Sequence, residues 1–164
     1  MTTNAPKSPL VPFIGDRTPR VLIVDDEPVN LKVLAAHLTR WGCRVQTAAD
    51  GATALEAARA SAPDLILLDI LMPGLSGFDV AKALQADPAT RNTPVIFLTA
   101  LAGGEAKEMG FEIGARDYIT KPFVAAELAA RLGARLRDRY AEEALRARQA
   151  ELAAGMPKDE APQP

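Results

Sequence analysis

Between residues 20 and 123 the chain alternates short apolar runs with stretches whose apolar positions recur every three or four residues. Residues 21–24 (Val-Leu-Ile-Val), 65–68 (Leu-Ile-Leu-Leu) and 95–98 (Val-Ile-Phe-Leu) are apolar throughout, as strands buried on both faces must be. Residues 44–48 alternate, with Val45 and Thr47 on one face, and 118–120 are short, so both suit sheet edges. Leu31, Leu34, Leu38 and Trp41 form a stripe that predicts a helix starting at Pro28 and closed by Gly42. Further helices are predicted from about 51 to 61, stopped by Pro63, from 78 to 86, and from about 105 to 113 after a loop at Gly103-Gly104. Strands separated by helices predict an α/β fold: a doubly wound, five-stranded parallel sheet with helices on both faces, three central strands and two edges. Strand order does not follow from this pattern.

Residues from about 124 to 154 are rich in Ala, Leu, Glu and Arg, and as a helix would extend ~45 Å, further than one domain layer needs. Leu128, Leu132 and Leu136 suit packing on the sheet, whereas beyond Arg137 the apolar positions thin to Tyr140, Ala144, Leu145 and Leu152. An extended C-terminal helix is predicted, with Gly133 its weakest point. Seven of the 13 prolines fall in residues 1–19 and 157–164, so both ends read as loosely attached. The expected organisation is a flexible tail over 1–19, a domain over 20–137, a helical extension over 138–154 and a disordered tail over 155–164.

Composition narrows the function. The 164 residues suit one domain of ordinary size with loose ends. Nineteen basic against 21 acidic residues give a net charge of −2, so no electrostatic case exists for nucleic acid as partner. No run approaches the ~18 apolar residues of a membrane span, and the proline-rich start lacks the apolar core of a secretory signal. One cysteine, Cys43, and one histidine, His37, exclude an internal disulfide and a structural zinc site. A cytoplasmic protein is expected.

The chemistry gathers where parallel α/β sheets place it, at the carboxyl ends of the strands. The first strand leads into Asp25 and Asp26, the third ends in Asp69, the fourth in Thr99, and the fifth leads into Lys121. Three packed carboxylates repel and resist ionisation unless compensated. A hard divalent cation such as Mg²⁺, held by carboxylates and water, is the natural solution. Three acids, Lys121 and the cation sum formally to zero. A phosphoryl group on Asp69 would take the site to about −1 with metal and about −3 without it, so phosphorylation should require the metal.

VLIVDDEPVN, LILLDILMPGLSGFDV, PVIFLTA and GARDYITKPF, in that order, resemble the receiver domain of two-component response regulators. The intervals are 43 residues from Asp26 to Asp69, 30 to Thr99 and 22 to Lys121, and the likeness covers residues 20–136. The resemblance implies a flavodoxin-like strand order, 2-1-3-4-5. It implies that Asp69 is the phosphoacceptor, taking its group from a phosphohistidine on a sensor histidine kinase or a histidine phosphotransfer protein. Asp26, Asp69 and the backbone carbonyl of Leu71 would bind Mg²⁺ directly, and Asp25 through water. Lys121 would pair with the phosphoryl oxygens, Thr99 would move to bond them, and Tyr118 would turn inward behind it. Lys121-Pro122 is expected to be a cis peptide. Such a chain promotes its own phosphorylation and dephosphorylation and is not an enzyme on external substrates.

Plainer readings exist for each residue alone. Asp25 and Asp26 could be a helix N-terminal acid pair ahead of Pro28, Asp69 a turn residue, Thr99 a cap, Lys121 a surface lysine and Tyr118 core packing. Together they leave those readings little room. His37, beside the Leu31–Leu34–Leu38 stripe, reads as a solvated surface histidine, Cys43 as a small buried hydrophobe, and Glu27 as a solvated loop residue. Only about 28 residues follow Leu136. If the chain is complete, it is a stand-alone regulator whose output runs through contacts with an unidentified protein target, and the overhanging helix offers a surface for homodimerisation or docking. Leu71 and Leu101, two residues beyond Asp69 and Thr99, cannot orient water, which predicts slow loss of the phosphoryl group. The alternatives are a phosphorelay intermediate that passes the group onward, an adaptor that works without phosphorylation, and an aspartate-based phosphohydrolase. The last commonly wants an acid where Leu71 stands.

Overall fold

Strands β1 (Arg20–Val24), β2 (Arg44–Ala48), β3 (Leu65–Asp69), β4 (Val95–Thr99) and β5 (Asp117–Thr120) pair in parallel in the order β2-β1-β3-β4-β5. They are seen in a computed structural model that describes residues 7–100 and 117–155. The three strands predicted to be central are central and the two predicted edges are edges. The helix predicted at 105–113, the Gly103-Gly104 loop and Leu101 lie outside the described residues, as do 1–6 and 156–164 of the tails.

Helices α2 (Pro28–Arg40), α3 (Gly51–Ser61), α4 (Gly77–Ala86) and α5 (Ala125–Ala154) form where the periodicity places them. Proline occupies the first turn of α2, and Gly42 at φ 89° turns the chain out of it. Asp50 caps α3 by accepting from Thr53 N, and Ser76 with Asp79 closes α4 in a reciprocal capping box.

Alternation along the buried strands divides the interior in two. Leu22, Val24, Ile66, Leu68, Val95, Phe97 and Tyr118 face α3 and α4. Val21, Ile23, Leu65, Leu67, Ile96, Leu98 and Ile119 face α2 and α5. In β2 the expected Val45–Thr47 face is weakly realised: Val45 is half-buried and Thr47 exposed, and Ala48 alone is buried. This is an edge strand with solvent along its flank.

One expectation is corrected. Residues 8–15 are not a loose tail. Val11–Ile14 form a short helix, α1, and Leu10 and Ile14 are buried in the α2/α5 core. Two large apolar side chains find a socket there, which outweighs the prolines around them. The long C-terminal helix forms as expected, and α5 runs 30 residues through Gly133 without a break. A Cβ at 133 would stand 2.3 Å from Phe13 Cδ2, so the glycine is there to admit a neighbouring ring. No helix among the described residues is long and apolar enough to cross a membrane.

Candidate functional site

The register brings the carboxyl ends of the strands level: Val24 pairs with Ala48 and Leu68, Asp69 with Leu98, and Thr99 with Thr120. The residues that follow or end these strands therefore meet on one rim.

Asp25, directly after β1, is fully buried. Its backbone N–H donates to Ala48 O at 3.1 Å, extending the sheet by one residue. Both of its carboxylate oxygens are engaged: Oδ1 accepts from Glu27 N at 3.0 Å and Oδ2 from Lys121 Nζ at 2.8 Å. Asp26 is half-buried. Asp69 is 5% exposed, with Oδ1 3.4 Å from Lys121 Nζ. One carboxylate oxygen from each of Asp25, Asp26 and Asp69 lies within 4.8 Å of the others.

Lys121 is aimed from the β5 side by its backbone, whose N–H donates to Thr99 O at 2.8 Å, and the Lys121-Pro122 peptide is cis, as expected. Behind Asp69 the chain turns at Gly77, whose N–H donates to Ile70 O at 2.8 Å. A Cβ on Gly77 would stand 2.3 Å from the Asp69 carbonyl oxygen, so only glycine lets α4 begin against the end of β3.

The electrostatics follow from burial and proximity. Desolvation pushes the Asp69 carboxyl up to about 6; the Lys121 charge pulls it back, the Asp25 charge adds to the rise, and the Leu71 backbone hydrogen bond opposes it. Burial pulls the Lys121 ammonium down, but its hydrogen bond to Asp25 and the charges of Asp69 and Asp25 win, and it is raised above the ordinary lysine value. At neutral pH the site thus holds an ionised Asp69 next to a firmly protonated lysine. Three acids and one ammonium leave an excess of negative charge, on hard oxygen donors close enough to share one ion. That donor set fits a hard divalent cation.

Of the residues expected here, Asp25, Asp26, Asp69 and Lys121 are brought into one cluster. Thr99, 3% exposed, ends the strand next to Asp69. Tyr118 is in the neighbouring strand, β5. Its buried ring sits 5.5 Å from Phe97, which is itself 5.3 Å from Phe78, so the tyrosine occupies an inward position on the α3/α4 side. Leu71 is next to Asp69 in space and its side chain is 56% exposed. Glu27 is exposed, as expected.

Cys43 is buried, and burial pushes its thiol up to about 12, in keeping with an inert hydrophobe. His37 departs from expectation. It is half-buried, its ring 5.5 Å from Trp41 and 6.0 Å from Phe123, because the next helical turn and the segment after Pro122 close over it. Sequence reasoning also missed Gly77, since "PGLSG" reads only as a loop, and the role of Asp25 as the first partner of Lys121. Neither has a local signal, because both depend on contacts between distant segments.

Residues 21–133 match the family described as the response regulator receiver domain. Response regulator PleD of Caulobacter vibrioides is 44% identical over 131 residues, covering 80% of this chain and 29% of that protein. The DNA-binding dual master transcriptional regulator RpaA of Synechocystis is 43% identical over 119 residues, covering 73% of this chain and 49% of that one. The chain thus spans half or less of the length of these two relatives. Among solved structures, the receiver domain of sensor histidine kinase PA1611 from Pseudomonas aeruginosa carries a magnesium ion coordinated in its active site cleft. It superposes with a TM-score of 0.67 at 36% identity, over 74% of this chain and 99% of that one. Chemotaxis protein CheY4 of Vibrio cholerae gives a TM-score of 0.68 at 34% identity, over 71% of this chain and 97% of that one.

Proposed function

The chain belongs to the response regulator receiver domain family, and from that footing we propose that it is a phosphorylation switch with Asp69 as the acceptor. The observation that carries this reading is the cluster itself: Asp69 Oδ1 3.4 Å from the Lys121 ammonium, inside a triad of carboxylates within 4.8 Å.

In the proposed step an Asp69 carboxylate oxygen attacks the phosphorus of a partner's phosphohistidine. The O–P bond forms as the N–P bond breaks, and the imidazole leaves with the bonding pair. Lys121 balances negative charge on the phosphoryl oxygens, a role for which its raised proton affinity suits it. Asp26, Asp69 and the Leu71 carbonyl would hold Mg²⁺ directly. Asp25, with both oxygens already accepting hydrogen bonds, is suited to act through water. When bound, the ion supplies Lewis-acid stabilisation of the phosphoryl oxygens. Thr99 would then bond the phosphoryl group, with Tyr118 as the second half of the switch.

The partner that supplies the group is a sensor histidine kinase or a histidine phosphotransfer protein, and output runs through protein–protein contacts. RpaA is by name a DNA-binding regulator; the net charge of −2 gives no electrostatic reason to carry that property over to the present chain.

The test is intact mass after incubation with a small-molecule phosphodonor and Mg²⁺, beside Asp69→Ala and a chelated control. One added phosphoryl group, absent from both controls, is expected. No adduct on the wild type, with the same donor labelling a known receiver in parallel, would replace the switch with a phosphorylation-independent adaptor.

A further inference from the structure

The helix α5 outruns the domain. Its last buried residue is Leu136, and Leu145 and Leu152 further along are 58% and 64% exposed. A helix projecting from a domain keeps a fixed direction only if something grips it near the point of departure. Here that grip comes from the opposite end of the chain.

Ser8 Oγ donates to the carbonyl of Trp41, at the end of α2, at 2.7 Å. Leu10, fully buried, and Ile14 enter the core shared by α2 and α5. The Phe13 ring lies in the notch over Gly133. Two residues at the root of the overhang are then held by cation–π contacts: the Arg137 guanidinium stands 5.7 Å from the Phe13 ring centre, and that of Arg17 stands 4.3 Å from the Tyr140 ring centre. The far side of Tyr140 is also fixed, since its hydroxyl donates to Asp64 Oδ2 at 3.4 Å, and that same oxygen accepts from Arg20 N at 2.9 Å.

We infer that residues 8–17 are a clip that fixes the direction in which α5 leaves the domain, so that whatever engages the N-terminal segment also frees or stiffens the C-terminal helix. This is a conformational device separate from the acid site. The clip lies beside the end of α2, whereas the carboxylates lie at its start. The glycine at 133 is the sharpest sign of it. In a helix, glycine is the weaker choice and alanine the stronger, so a glycine retained under an aromatic ring is explained by the ring.

Four full-length variants test the idea by amide hydrogen exchange of residues 138–150, with denaturation midpoint and Trp41 emission recorded alongside. Phe13→Ala/Arg17→Ala removes both contacts to the root while leaving Leu10 and Ile14 in the core. It is expected to accelerate exchange of those amides at least tenfold, with little change in the midpoint. Gly133→Ala improves the helix locally but expels Phe13, and is expected to accelerate exchange in the same direction. Adding Gly133→Ala to Phe13→Ala should then slow exchange relative to Phe13→Ala alone, because only the helix-forming effect is left. Unchanged exchange in Phe13→Ala/Arg17→Ala, or slower exchange in Gly133→Ala alone, would overturn the clip and leave residues 8–17 as core filling.

Discussion

Lys121 is bonded more closely to Asp25 than to Asp69: its ammonium lies 2.8 Å from Asp25 Oδ2 and 3.4 Å from Asp69 Oδ1. The lysine therefore neutralises a carboxylate that is entirely shielded from water while standing within reach of the proposed acceptor. Its structural and chemical roles can be separated. Lys121→Ala should strip Asp25 of its cationic partner and destabilise the fold by about 2–3 kcal/mol, less than a wholly buried pair would lose because the lysine is itself partly solvated. Lys121→Ala/Asp25→Asn should recover most of that loss in urea denaturation yet take up no phosphoryl group.

The raised Asp69 carboxyl fixes a dependence on pH. Folded Asp69 titrates at about 6, above the ordinary value of about 3.9. Between these limits the folded state binds the proton more tightly than the unfolded chain. Stability conferred by this group thus falls as pH rises from about 4 to 6 and is level above. In chelated buffer at pH 7, Asp69→Asn should stabilise the protein by about 1–2 kcal/mol, part of the gain being lost with the Lys121 contact. The advantage should vanish near pH 4. Added Mg²⁺ should raise the melting temperature of the wild type and leave that of the variant unmoved. A stability difference between variant and wild type that is the same at both pH values would contradict the assignment.

Gly77→Ala should be among the costliest single-methyl additions to this protein. The new Cβ meets the Asp69 carbonyl oxygen at 2.3 Å, a backbone atom that cannot swing aside. A loss of roughly 2–4 kcal/mol is expected from the enforced backbone shift. Phosphorylation by a small donor should slow as the end of β3 moves, measured on the fraction that remains folded.

The exposed Leu71 side chain borders Asp69 without offering a hydrogen bond. Leu71→Asn, which can orient water, should shorten the lifetime of the phosphorylated protein several-fold while leaving its uptake of the group nearly unchanged. The decay of phosphoprotein followed by intact mass decides this, and an unaltered half-life would detach Leu71 from the hydrolytic step.

Much of this was legible in the chain because the signals are local. Wholly apolar runs at 21–24, 65–68 and 95–98 could only be central strands, and what stands at their ends is one residue further along. Asp25, Asp26, Asp69 and Thr99 were thus identifiable before any coordinate, and Lys121 from the end of the short fifth strand. What escaped depends on segments far apart in sequence. Phe13 gives no hint that it lies on Gly133, so a docked segment looked like a tail and the glycine looked like a weak point in the helix. His37 is polar by type, but its surroundings are set by Phe123, 86 positions away. The carboxylates were readable as a set, whereas the pairing of Lys121 with Asp25 over Asp69 is a matter of fractions of an ångström.

The division of the interior has a consequence for how this lineage can diversify. Ile119 and Tyr118 are neighbours in β5, yet one belongs to the α2/α5 core and the other to the α3/α4 core, with the sheet between them. Selection can therefore redraw one flank, changing which molecules the domain meets, without disturbing the aromatic row of Phe78, Phe97 and Tyr118 on the other. A duplicated copy would carry the same acid cluster at the sheet's end and two flanks that can change independently of each other.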